Sequence, residues 1–354
     1  MTRYLITGGA GFIGSAMVRR LVAEGADVTV IDKLTYAGNL DNLEPIVGQD
    51  NYRFVEADIA DADAMTAAID VSQPDRVVHF AAESHVDRSI DGPEPFIQTN
   101  VVGSLRVLQA ALVHWQTLDG AAKAAFRVLH VSTDEVYGSL GETGAFDESS
   151  PYRPNSPYAA SKASADHLAR SFHRTYGLPV LVSNCGNNYG PYQFPEKLIP
   201  LMILNGRERR PLPVYGAGDN VRDWIHVDDH VAALLCALQG GAVGETYLIG
   251  GRCQASNREI VERICAILDA RDDGGDGFKH AALMQSVDDR PGHDFRYAID
   301  PTKIELQLGW RPAIDFQAGL EATVSWYADN SDWCRRLADR YDRRRLGLAA
   351  GAPA

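Results

Sequence analysis

Cysteine is scarce in this chain of 354 residues. The cysteines form no CxxC pair and their number is odd, so neither a disulfide framework nor a zinc site is indicated. They are Cys185, Cys236, Cys253, Cys265 and Cys334. We predict that no metal is bound and that the chain works in the reducing cytoplasm.

Long hydrophobic runs and an excess of positive charge are also lacking. No stretch of about 18 apolar residues occurs, and the chain enters an apolar segment after Arg3 without a charged leader or cleavage signal. The formal net charge is −13, whereas nucleic acids and anionic lipids attract cationic surfaces. We therefore expect neither nucleic-acid nor membrane binding, while an anionic small molecule stays compatible if a few basic residues converge.

Short apolar segments rich in Val, Ile and Leu alternate with longer helical patterns in the first half of the chain. Continuous apolar strands separated by helices indicate a parallel sheet covered on both faces, and right-handed crossovers then give a doubly wound sheet. The class predicted is therefore α/β. The predicted strands are Arg3–Thr7, Asp27–Asp32, Tyr52–Glu56, Arg76–Phe80, Arg127–Ser132 and Pro179–Asn184.

A glycine-rich turn joins the first predicted strand to the first predicted helix. Gly8 permits a tight turn, Gly11 lets the backbone approach a pyrophosphate, and Gly14 allows close packing of helix on strand. The helix N-terminus then offers free N–H groups to an anion. This spacing and context indicate a dinucleotide-binding Rossmann fold.

The second predicted strand ends at Asp32, where a carboxylate can accept hydrogen bonds from the ribose hydroxyls of an adenosine and repel a 2′-phosphate. This favours NAD, although the adjacent Lys33 leaves NADP as an alternative, and Asp32 could be a turn residue only. Asp58 and Ile59 follow the third strand and are candidates for the adenine pocket or a polar strand end. His85, after the fourth strand, is either a substrate contact or a loop histidine.

Tyr158 and Lys162 are spaced i and i+4, which places both on one face of the helix predicted through Tyr176. A nearby ammonium group and the nicotinium charge are expected to lower the pKa of Tyr158, so that a phenolate takes a proton from a sugar hydroxyl while hydride leaves its carbon. Alone, this spacing is weak; downstream of the glycine turn it indicates a redox site.

Thr133, Asp134 and Glu135 follow the fifth strand, at the sheet edge where ligands of open α/β folds bind. Two carboxyl groups forced together away from water cannot both ionise cheaply, so one could act as acid and the other as base. A solvated turn is the alternative.

The alternating rhythm breaks after Gly186. The stretch Asn187–Pro213 is rich in Pro, Asn, Tyr and Gly, which favours ordered loops over regular elements. We predict an NAD-binding Rossmann domain over 1–186 and a smaller α/β domain for the substrate over 187–330. The apolar segments Val227–Leu238 and Gly244–Ile249 predict a return to the first domain around 222–250. The tail, 347–354, is expected to be frayed.

Taken together, these residues resemble the dTDP-glucose 4,6-dehydratases of the extended short-chain dehydrogenase/reductase superfamily, also called the NAD-dependent epimerase/dehydratase superfamily. The resemblance runs from Tyr4 to about Trp326. Its more specific blocks are STDEVYG at 132–138, NNYGPYQFPEKLIPL at 187–201 and DRPGHDFRYAID at 289–300, whereas GGAGFIGS at 8–15 and YAASK at 158–162 are shared across the superfamily. Gly186 departs from the serine expected in close relatives.

The resemblance implies a lyase that oxidises a nucleotide-linked glucose at C4 with NAD, eliminates water across C5 and C6, and returns the hydride to C6. Glu135 would then remove the C5 proton and protonated Asp134 would assist departure of the C6 hydroxyl. Thr133 would bond the C4 oxygen beside Tyr158, and Lys162 completes the catalytic set. A homodimer is also implied, through paired helices that include the one carrying Tyr158.

Two residue sets are carried over by the same resemblance. Contacts to NAD are implied for Gly8, Gly11, Phe12, Ile13, Gly14, Asp32, Lys33, Thr35, Asp58, Ile59, Ala81, Ala82, Ser84, Thr99, Tyr158, Lys162 and Asn188. Contacts to the sugar nucleotide are implied for Ser84, His85, Thr133, Asn187, Glu196, Lys197, Leu198, Pro213, Tyr215, Arg222, Asn257, Arg290, His293 and Tyr297. Arg222 and Arg290 would supply the positive charge that a pyrophosphate needs.

Three other functions stay open at this point. A CDP- or UDP-glucose dehydratase would use the same chemistry with another base. A UDP-galactose 4-epimerase or UDP-glucuronate decarboxylase needs NAD, Tyr158 and Lys162 but not the pair Asp134 and Glu135. A nonenzymatic NAD-binding protein would keep the glycine turn alone. The tract Arg271–Gly277 lacks the ligand order of a calcium loop and is expected to be a connection.

Overall fold

The structure, a computed structural model, describes residues 1–272, 277–338 and 346. The predicted tail over 347–354 lies outside these residues, as does part of the tract Arg271–Gly277. The strands are β1 Arg3–Thr7, β2 Asp27–Asp32, β3 Tyr52–Glu56, β4 Arg76–His79, β5 Arg127–Thr133, β6 Val180–Cys185, β7 Asn187–Tyr189, β8 Leu212–Tyr215, β9 Val221–His226, β10 Thr246–Ile249, β11 Gln254–Ser256 and β12 Met284–Val287.

Helices cover much of the remaining described chain. They are α1 Phe12–Ala23, α2 Ala62–Ser72, α3 Val86–Asp91, α4 Glu94–Phe96, α5 Ser104–Thr117, α6 Gly120–Ala125, α7 Pro157–Tyr176, α8 Leu198–Arg207, α9 Val227–Gly240, α10 Asn257–Arg271, α11 Thr302–Leu308, α12 Phe316–Asp329 and α13 Ser331–Ala338. A π-helical turn, Ile97–Gly103, joins α4 to α5, and a 3₁₀ turn, Asp134–Tyr137, follows β5.

A seven-stranded sheet in the order β10-β6-β5-β4-β1-β2-β3 forms the centre of the fold, and every neighbouring pair in it is parallel. One face packs on α1 and α9 and the other on α2, α5 and α7. The predicted doubly wound α/β class is confirmed. Strand bounds differ by one residue at four ends, because β4 ends at His79, β5 continues to Thr133, and β6 both begins and ends one residue later, at Val180 and Cys185.

The prediction of loops over Asn187–Pro213 is wrong. This stretch contains β7, all of α8 and the start of β8. Pro200 is tolerated because it lies in the first turn of α8, where its missing N–H costs no helical hydrogen bond. Ile199, Met202 and Ile203 of α8 are buried against α10 in a second hydrophobic cluster, and this packing outweighs the turn-forming residues before it.

The chain after β6 builds two smaller sheets beside the main one. One has the order β11-β9-β7 and the other pairs β12 with β8. The segment Val227–Leu238 falls in α9, whereas β10 is an edge strand of the main sheet. The domain division over 1–186 and 187–330 stays a prediction; the packing that bears on it is a cluster formed by β7, β9, α8, α10 and α12.

Helix α7 is defined by signals at both ends. The Ser156 side chain accepts a hydrogen bond from the N–H of Ala159, and Pro157 occupies the first helical turn. Gly177 ends the helix with a φ of 75°, a left-handed conformation that glycine adopts without steric cost. These caps fix the position of the helix that carries Tyr158 and Lys162.

One described helical run, Glu94–Thr117, is 24 residues long, and its most apolar window of 18 residues has a mean hydropathy of 1.2, enough to cross a membrane by length and composition. In this fold, 44% of its most apolar window is buried inside the protein. Val107, Leu108 and Ala111 pack in the cluster beneath the main sheet. The same composition is therefore accounted for by a core helix of a globular protein.

Candidate active site

A cleft with a cavity volume of about 290 Å³ lies at the carboxyl ends of the central strands. It is bounded by the turn after β1, the ends of β2, β4 and β5, one face of α7 and the loop after β6. Predicted residues that line it are Gly8, Gly11, Phe12, Ile13, Gly14, Asp32, Lys33, Thr35, Ile59, Ala81, Ala82, Ser84, Thr99, Thr133, Asp134, Glu135, Tyr158, Lys162, Asn187, Asn188, Glu196 and Lys197.

The turn after β1 depends on glycine. Gly8 has a φ of 72°, and a Cβ there would lie 2.5 Å from the backbone nitrogen of Ala81. A Cβ on Gly14 would overlap the carbonyl oxygen of Gly8. Gly11 is the N-cap of α1 and has no side chain to bond the first N–H groups of the helix. Backbone N–H groups at this end of the cleft are thus available to an anion.

Asp32 is held at the end of β2 by backbone groups. Its Oδ2 accepts from the N–H of Ala10 at 3.0 Å and its Oδ1 from that of Leu34 at 2.9 Å. Burial raises the pKa of this carboxyl, and the two backbone donors oppose the effect. A Cβ on Gly38 would lie 2.8 Å from Oδ1, so the loop that contains Gly38 passes directly over the carboxylate.

The Lys33 side chain forms hydrogen bonds with residues other than Asp32. Its Nζ donates to Thr99 Oγ1 at 3.0 Å and to Asp58 Oδ2 at 3.3 Å. Asp58 therefore contacts the cleft through Lys33 and does not itself line it. A glycine turn, a helix N-terminus and a carboxylate at the end of β2 are the donor and acceptor set that a dinucleotide requires, and the cleft residues fit NAD.

The cleft wall after β5 carries two adjacent carboxyl groups. Asp134 is 1% exposed, and its Oδ2 has no hydrogen-bond partner among the described residues. Burial, followed by the charge of Glu135, raises the pKa of Asp134 well above its usual value. Burial also raises the pKa of Glu135, while Arg290 and Arg222 act in the opposite direction.

Thr133 links the two carboxyl-bearing residues. Its hydroxyl donates to Asp134 Oδ1 at 3.3 Å and accepts from the backbone N–H of Glu135 at the same distance. It also bonds the Tyr158 hydroxyl, which lowers the pKa of that phenol. A neutral carboxylic acid, a second carboxyl, a hydroxyl and a phenol therefore face one volume.

The expected lowering of the Tyr158 pKa is wrong for the protein groups alone. Burial, and then the negative charge of Glu135, raise that pKa well above its usual value. Lys162 lies one turn further along α7, and its Nζ donates to the carbonyl oxygen of Val131 at 2.9 Å. Phe96 packs edge-on against the Tyr158 ring at a centroid distance of 6.3 Å, and Tyr158 is buried. Desolvation of the phenol is the largest influence on its pKa, and the Thr133 hydroxyl opposes it.

Several predicted substrate residues lie beyond the cleft wall and contact one another. Arg290 Nη1 is 2.5 Å from Asp87 Oδ1, and the Tyr215 hydroxyl donates to Asp87 Oδ2 at 2.9 Å. The Arg222 guanidinium stacks on the Tyr297 ring at 4.3 Å. Arg222 and Arg290 also act electrostatically on Glu135, which connects this group to the cleft.

The remaining predicted substrate residues are spread over four elements. His85 caps α3 and lies 3.9 Å from Glu196, and burial lowers its pKa to about 3. His293 pairs with Asp289 at 2.6 Å, and its ring meets that of Tyr215 edge-on. Of the others, Leu198 begins α8, Pro213 is in β8 and Asn257 begins α10.

Sequence reasoning missed several residues that line the cleft. Gln193 and Phe194 lie within the NNYGPYQFPEKLIPL block, which was the available signal, and Glu83 directly follows Ala81 and Ala82, which were predicted to contact NAD. Ser132 begins the STDEVYG block, which was its signal, whereas Cys185 and Val131 reach the cleft from strand ends, where position alone gives no signal. The others are Ala37, Gly38, Ala57, Phe80 and Gly186. Among the described residues, no group of three or more His, Cys, Asp or Glu side chains is arranged to hold a metal.

Gly186 has a local reason to be glycine in this chain. A Cβ there would lie 2.6 Å from the carbonyl oxygen of Asp223, closer than real Cβ atoms approach an oxygen. Asp223 is fully buried, and its carboxylate accepts from the N–H of Gly251 at 2.8 Å. The backbone of β9 thus packs directly on the end of β6 at the cleft.

Comparison with known proteins places the chain in one family. The family model described as GDP-mannose 4,6 dehydratase matches residues 5–323. A probable dTDP-glucose 4,6-dehydratase of Sinorhizobium fredii is 55% identical over 98% of this chain and 99% of that one, and the dTDP-glucose 4,6-dehydratase of Xanthomonas campestris pv. campestris is 53% identical over the same shares. The crystal structure of the dTDP-glucose 4,6-dehydratase DesIV from Streptomyces venezuelae, with NAD bound, is 48% identical with a TM-score of 0.87, covering 95% of this chain and 100% of that one. The chain therefore belongs to the dTDP-glucose 4,6-dehydratase family within the NAD-dependent epimerase/dehydratase superfamily.

Proposed function

We propose that this chain is an NAD-dependent dTDP-glucose 4,6-dehydratase that forms dTDP-4-keto-6-deoxy-glucose. The observation that carries the proposal is the adjacent pair of buried Asp134 and partly buried Glu135, which face the same cleft as Tyr158. Elimination of water from a sugar needs one group to accept a proton and another to donate one, and this pair supplies both in unlike environments.

Bound NAD would supply a reversible hydride acceptor whose oxidised ring carries a positive charge. The residues that would hold it are those of the glycine turn, with the pyrophosphate at the N-terminus of α1. Asp32 would accept from the adenosine ribose, and its fixed charge disfavours a 2′-phosphate. Lys33 is engaged by Asp58 and Thr99, so it does not offset that repulsion.

At C4, Tyr158 would accept the hydroxyl proton as the carbon is oxidised. Because burial raises the pKa of this phenol, its ionisation depends on positive charge nearby, and Lys162 on the same face of α7 is the protein group placed to supply it. The Thr133 hydroxyl would bond the C4 oxygen beside Tyr158 and hold it in reach of the phenol.

At C5 and C6, Asp134 and Glu135 would take different parts. Oxidation at C4 acidifies the C5 hydrogen, and Glu135 would remove it as general base. Asp134, kept neutral by burial and by the charge of its neighbour, would donate its proton to the departing C6 hydroxyl as water. When the hydride returns to C6, Glu135 would give a proton back to C5. The proton that Tyr158 took from the C4 hydroxyl would then replace the one that Asp134 lost with the water, which restores the starting protonation.

Binding of the sugar nucleotide would use the charged residues next to the cleft. Arg222 and Arg290 bring two guanidinium groups near Glu135 in a chain with a net charge of −13, and guanidinium groups bind diphosphates well. The other residues in this proposed set are Ser84, His85, Asn187, Glu196, Lys197, Leu198, Pro213, Tyr215, Asn257, His293 and Tyr297.

Other members of the superfamily are the alternative. A 4-epimerase or a decarboxylase needs a redox site but no acid and base for elimination, so the pair Asp134 and Glu135 in the cleft weighs against both. A nonenzymatic NAD-binding protein is disfavoured because Tyr158, Lys162 and Thr133 are all in the cleft. A CDP- or UDP-glucose dehydratase would differ only at the base.

We also propose a cytoplasmic homodimer that binds neither nucleic acid nor membranes, with 1–186 as the NAD-binding domain, a return to it around 222–250, and 187–330 mainly for the substrate. The exposed apolar side chains Val113 on α5 and Tyr176 on α7, 62% and 52% exposed, support an interface on these adjacent helices. Sedimentation of the purified protein tests the dimer.

The function is tested by incubating the purified protein with dTDP-glucose in D₂O and recording proton NMR spectra. A new C6 methyl signal together with deuterium at C5 is expected, because Glu135 would exchange the C5 proton with solvent before the hydride returns. A methyl product with CDP- or UDP-glucose only would keep the chemistry and change the base. Epimerised or decarboxylated sugar, or no turnover with any of the three, would reject the proposal.

A further inference from the structure

A cluster of buried polar side chains lies behind the active-site lysine, on the side away from the cleft. Asp166 is at its centre and is fully buried. Its Oδ1 is 3.0 Å from His130 Nε2, and its Oδ2 accepts from the Tyr152 hydroxyl at 2.6 Å and from Asn184 Nδ2 at 3.0 Å. These four residues, here called the Asp166 cluster, join β5, β6, α7 and the loop before α7.

The donors of the Asp166 cluster keep the central carboxyl ionised. Burial acts to raise the pKa of Asp166, but the bond from His130 and the other donors outweigh it, so the net pKa is lowered. Burial lowers the pKa of His130, which leaves that imidazole neutral and able to donate from Nε2. Arg170 Nη2 donates to the Tyr152 oxygen at 2.6 Å, which directs the Tyr152 proton toward Asp166.

Asp166 stands one helical turn beyond Lys162 on the face of α7 that also carries Tyr158. The three residues are spaced i, i+4 and i+8, so their side chains leave the same side of the helix. The described contacts of Lys162 Nζ include the Val131 carbonyl at 2.9 Å but no carboxylate within 4.0 Å. The carboxylate thus acts on the ammonium through a short stretch of protein interior, where charge is weakly screened.

We propose that Asp166 is a positioning residue whose fixed negative charge keeps Lys162 in its ammonium form beside Tyr158. This rests on the proposed function, because it assigns Lys162 the task of supplying positive charge to the phenol. Burial lowers the pKa of Lys162, and Asp166 is the largest opposing influence. Burying a carboxylate is costly, and a neutral acceptor could serve the same donors, so a role for the charge itself accounts for its place here.

Other titratable groups face this pair from the packed elements. Cys185 at the end of β6 also acts on Lys162, but burial raises its thiol pKa to about 12, so it is neutral in the working range. His79 on β4 lies next to His130, with 5.3 Å between ring centroids, and burial lowers its pKa well below the usual value. Among the described groups that act on His130, Arg170 is the cation other than Lys162. Asp166 is therefore the anion that bears on Lys162 near neutral pH.

The test is a direct titration of Lys162 in the NAD-containing protein. The sequence has six lysines, so the ε-carbon signals of ¹³C-labelled lysine can be resolved and Lys162 assigned by its loss in Lys162→Arg. We expect wild-type Lys162 to be charged at pH 7. In Asp166→Asn, the titration midpoint of Lys162 should move down by on the order of 1 pH unit, because an opposite charge has been removed.

The matched control is Asp229→Asn. Asp229 is also a buried carboxylate, but it accepts from the backbone N–H groups of Ala313 and Ile314, on the far side of α9 from Lys162. The substitution Asp229→Asn should leave the titration midpoint of Lys162 unchanged, even if it lowers the melting temperature. A purely structural role for Asp166 would give the two variants the same result.

Turnover gives a second readout. In Asp166→Asn we expect kcat to fall about tenfold with KM little changed, and the loss of activity at high pH to begin at lower pH, since the charged form of Lys162 is the active one. Asp166→Glu, which keeps the charge, should recover part of kcat. An effect on KM alone would contradict the proposal.

An unmoved Lys162 midpoint in Asp166→Asn, or a Lys162 already neutral at pH 7 in the wild type, would overturn the proposal. If Asp166→Asn fails to fold, Asp166→Ser takes its place. It also removes the charge and leaves room for water among the same donors, so the titration midpoint of Lys162 should again move down, and no movement rejects the role. The titration needs no turnover, so absence of dehydration with an intact shift would reject the proposed function and leave the role of Asp166 standing.

Discussion

The cofactor side of the cleft and the sugar-nucleotide side next to it are built from different parts of the chain. The cofactor side consists of strand ends, a glycine turn and a helix N-terminus, all at the carboxyl edge of the main sheet. The sugar-nucleotide side consists of charged and tyrosine side chains from α3, β8, β9 and the segment before α11, and these contact one another. The first depends on backbone shape and the second on side-chain pairing.

That difference explains how the two sides respond to change. A glycine turn fails when a Cβ is added, because the backbone has no room to move. An ion pair such as Asp87 with Arg290 fails when one partner is removed, because the other is left buried and uncompensated. Asp134 and Glu135 lie between the two sides, and β5 fixes their backbone positions. Burial and Glu135 raise the pKa of Asp134, whereas the nearby arginines act to lower that of Glu135.

The largest effect is expected where the two sides meet. Glu135→Gln removes the proposed base without altering its size, so turnover should fall by about 10³-fold, equivalent to about 4 kcal/mol of transition-state stabilisation. NAD content, measured from the absorbance of the purified protein, should not change. Glu142→Gln, on an exposed loop, is the control. A Glu135→Gln enzyme with more than a tenth of wild-type turnover would rule out the proton-transfer role.

A smaller effect is expected on the sugar-nucleotide side. Arg290→Gln removes the partner of Asp87 and one of the two guanidinium groups near Glu135, so KM for the sugar nucleotide should rise about 100-fold. Steady-state kinetics measure this, and NAD content should again be unaffected. Arg311→Gln removes an arginine that is 75% exposed and should change neither quantity. Loss of NAD from Arg290→Gln would mean that the two sides are not separable.

The same contrast shows what the sequence could predict. Strand bounds agreed to within a residue because buried parallel strands are continuous apolar runs, and the glycine spacing located the cleft. The helix α8 was missed because Pro200 and the turn residues before it suggested loops, whereas packing on α10 decided the outcome. Which charges pair, as Asp87 does with Arg290, depends on segments about 200 residues apart and has no local signal. The raised pKa of Tyr158 was missed because the burial of that phenol is a result of tertiary packing, which includes Phe96 from another helix.

Substitution of Gly186 tests whether the cofactor side of the cleft depends on backbone packing. Gly186→Ser puts a Cβ against the carbonyl oxygen of Asp223, so the free energy of unfolding should fall by about 1–3 kcal/mol, as for overpacked sites. Urea unfolding measures this. Gly141→Ser is the matched control, because a Cβ there meets no atom within 4 Å. Equal stability of the two variants would show that β9 shifts away easily and that the departure from serine has no packing cause.

The smallest expected effect concerns stability at Asp134, and it depends on pH. Burial and Glu135 raise the pKa of this carboxyl in the folded state, so folding is favoured by its protonated form. Its contribution is fully present below the unfolded pKa, near 4, and is lost as pH rises through the folded value. Asp134→Asn has no proton to lose, so it should be more stable than wild type by roughly 1 kcal/mol at pH 8 and by less at pH 5. Urea unfolding at the two pH values measures the difference, with the exposed Asp63→Asn as control. A gain that is the same at both pH values, or a loss at pH 8, would show that Asp134 is not held neutral by its surroundings, and the acid in the proposed elimination would then have to be another group.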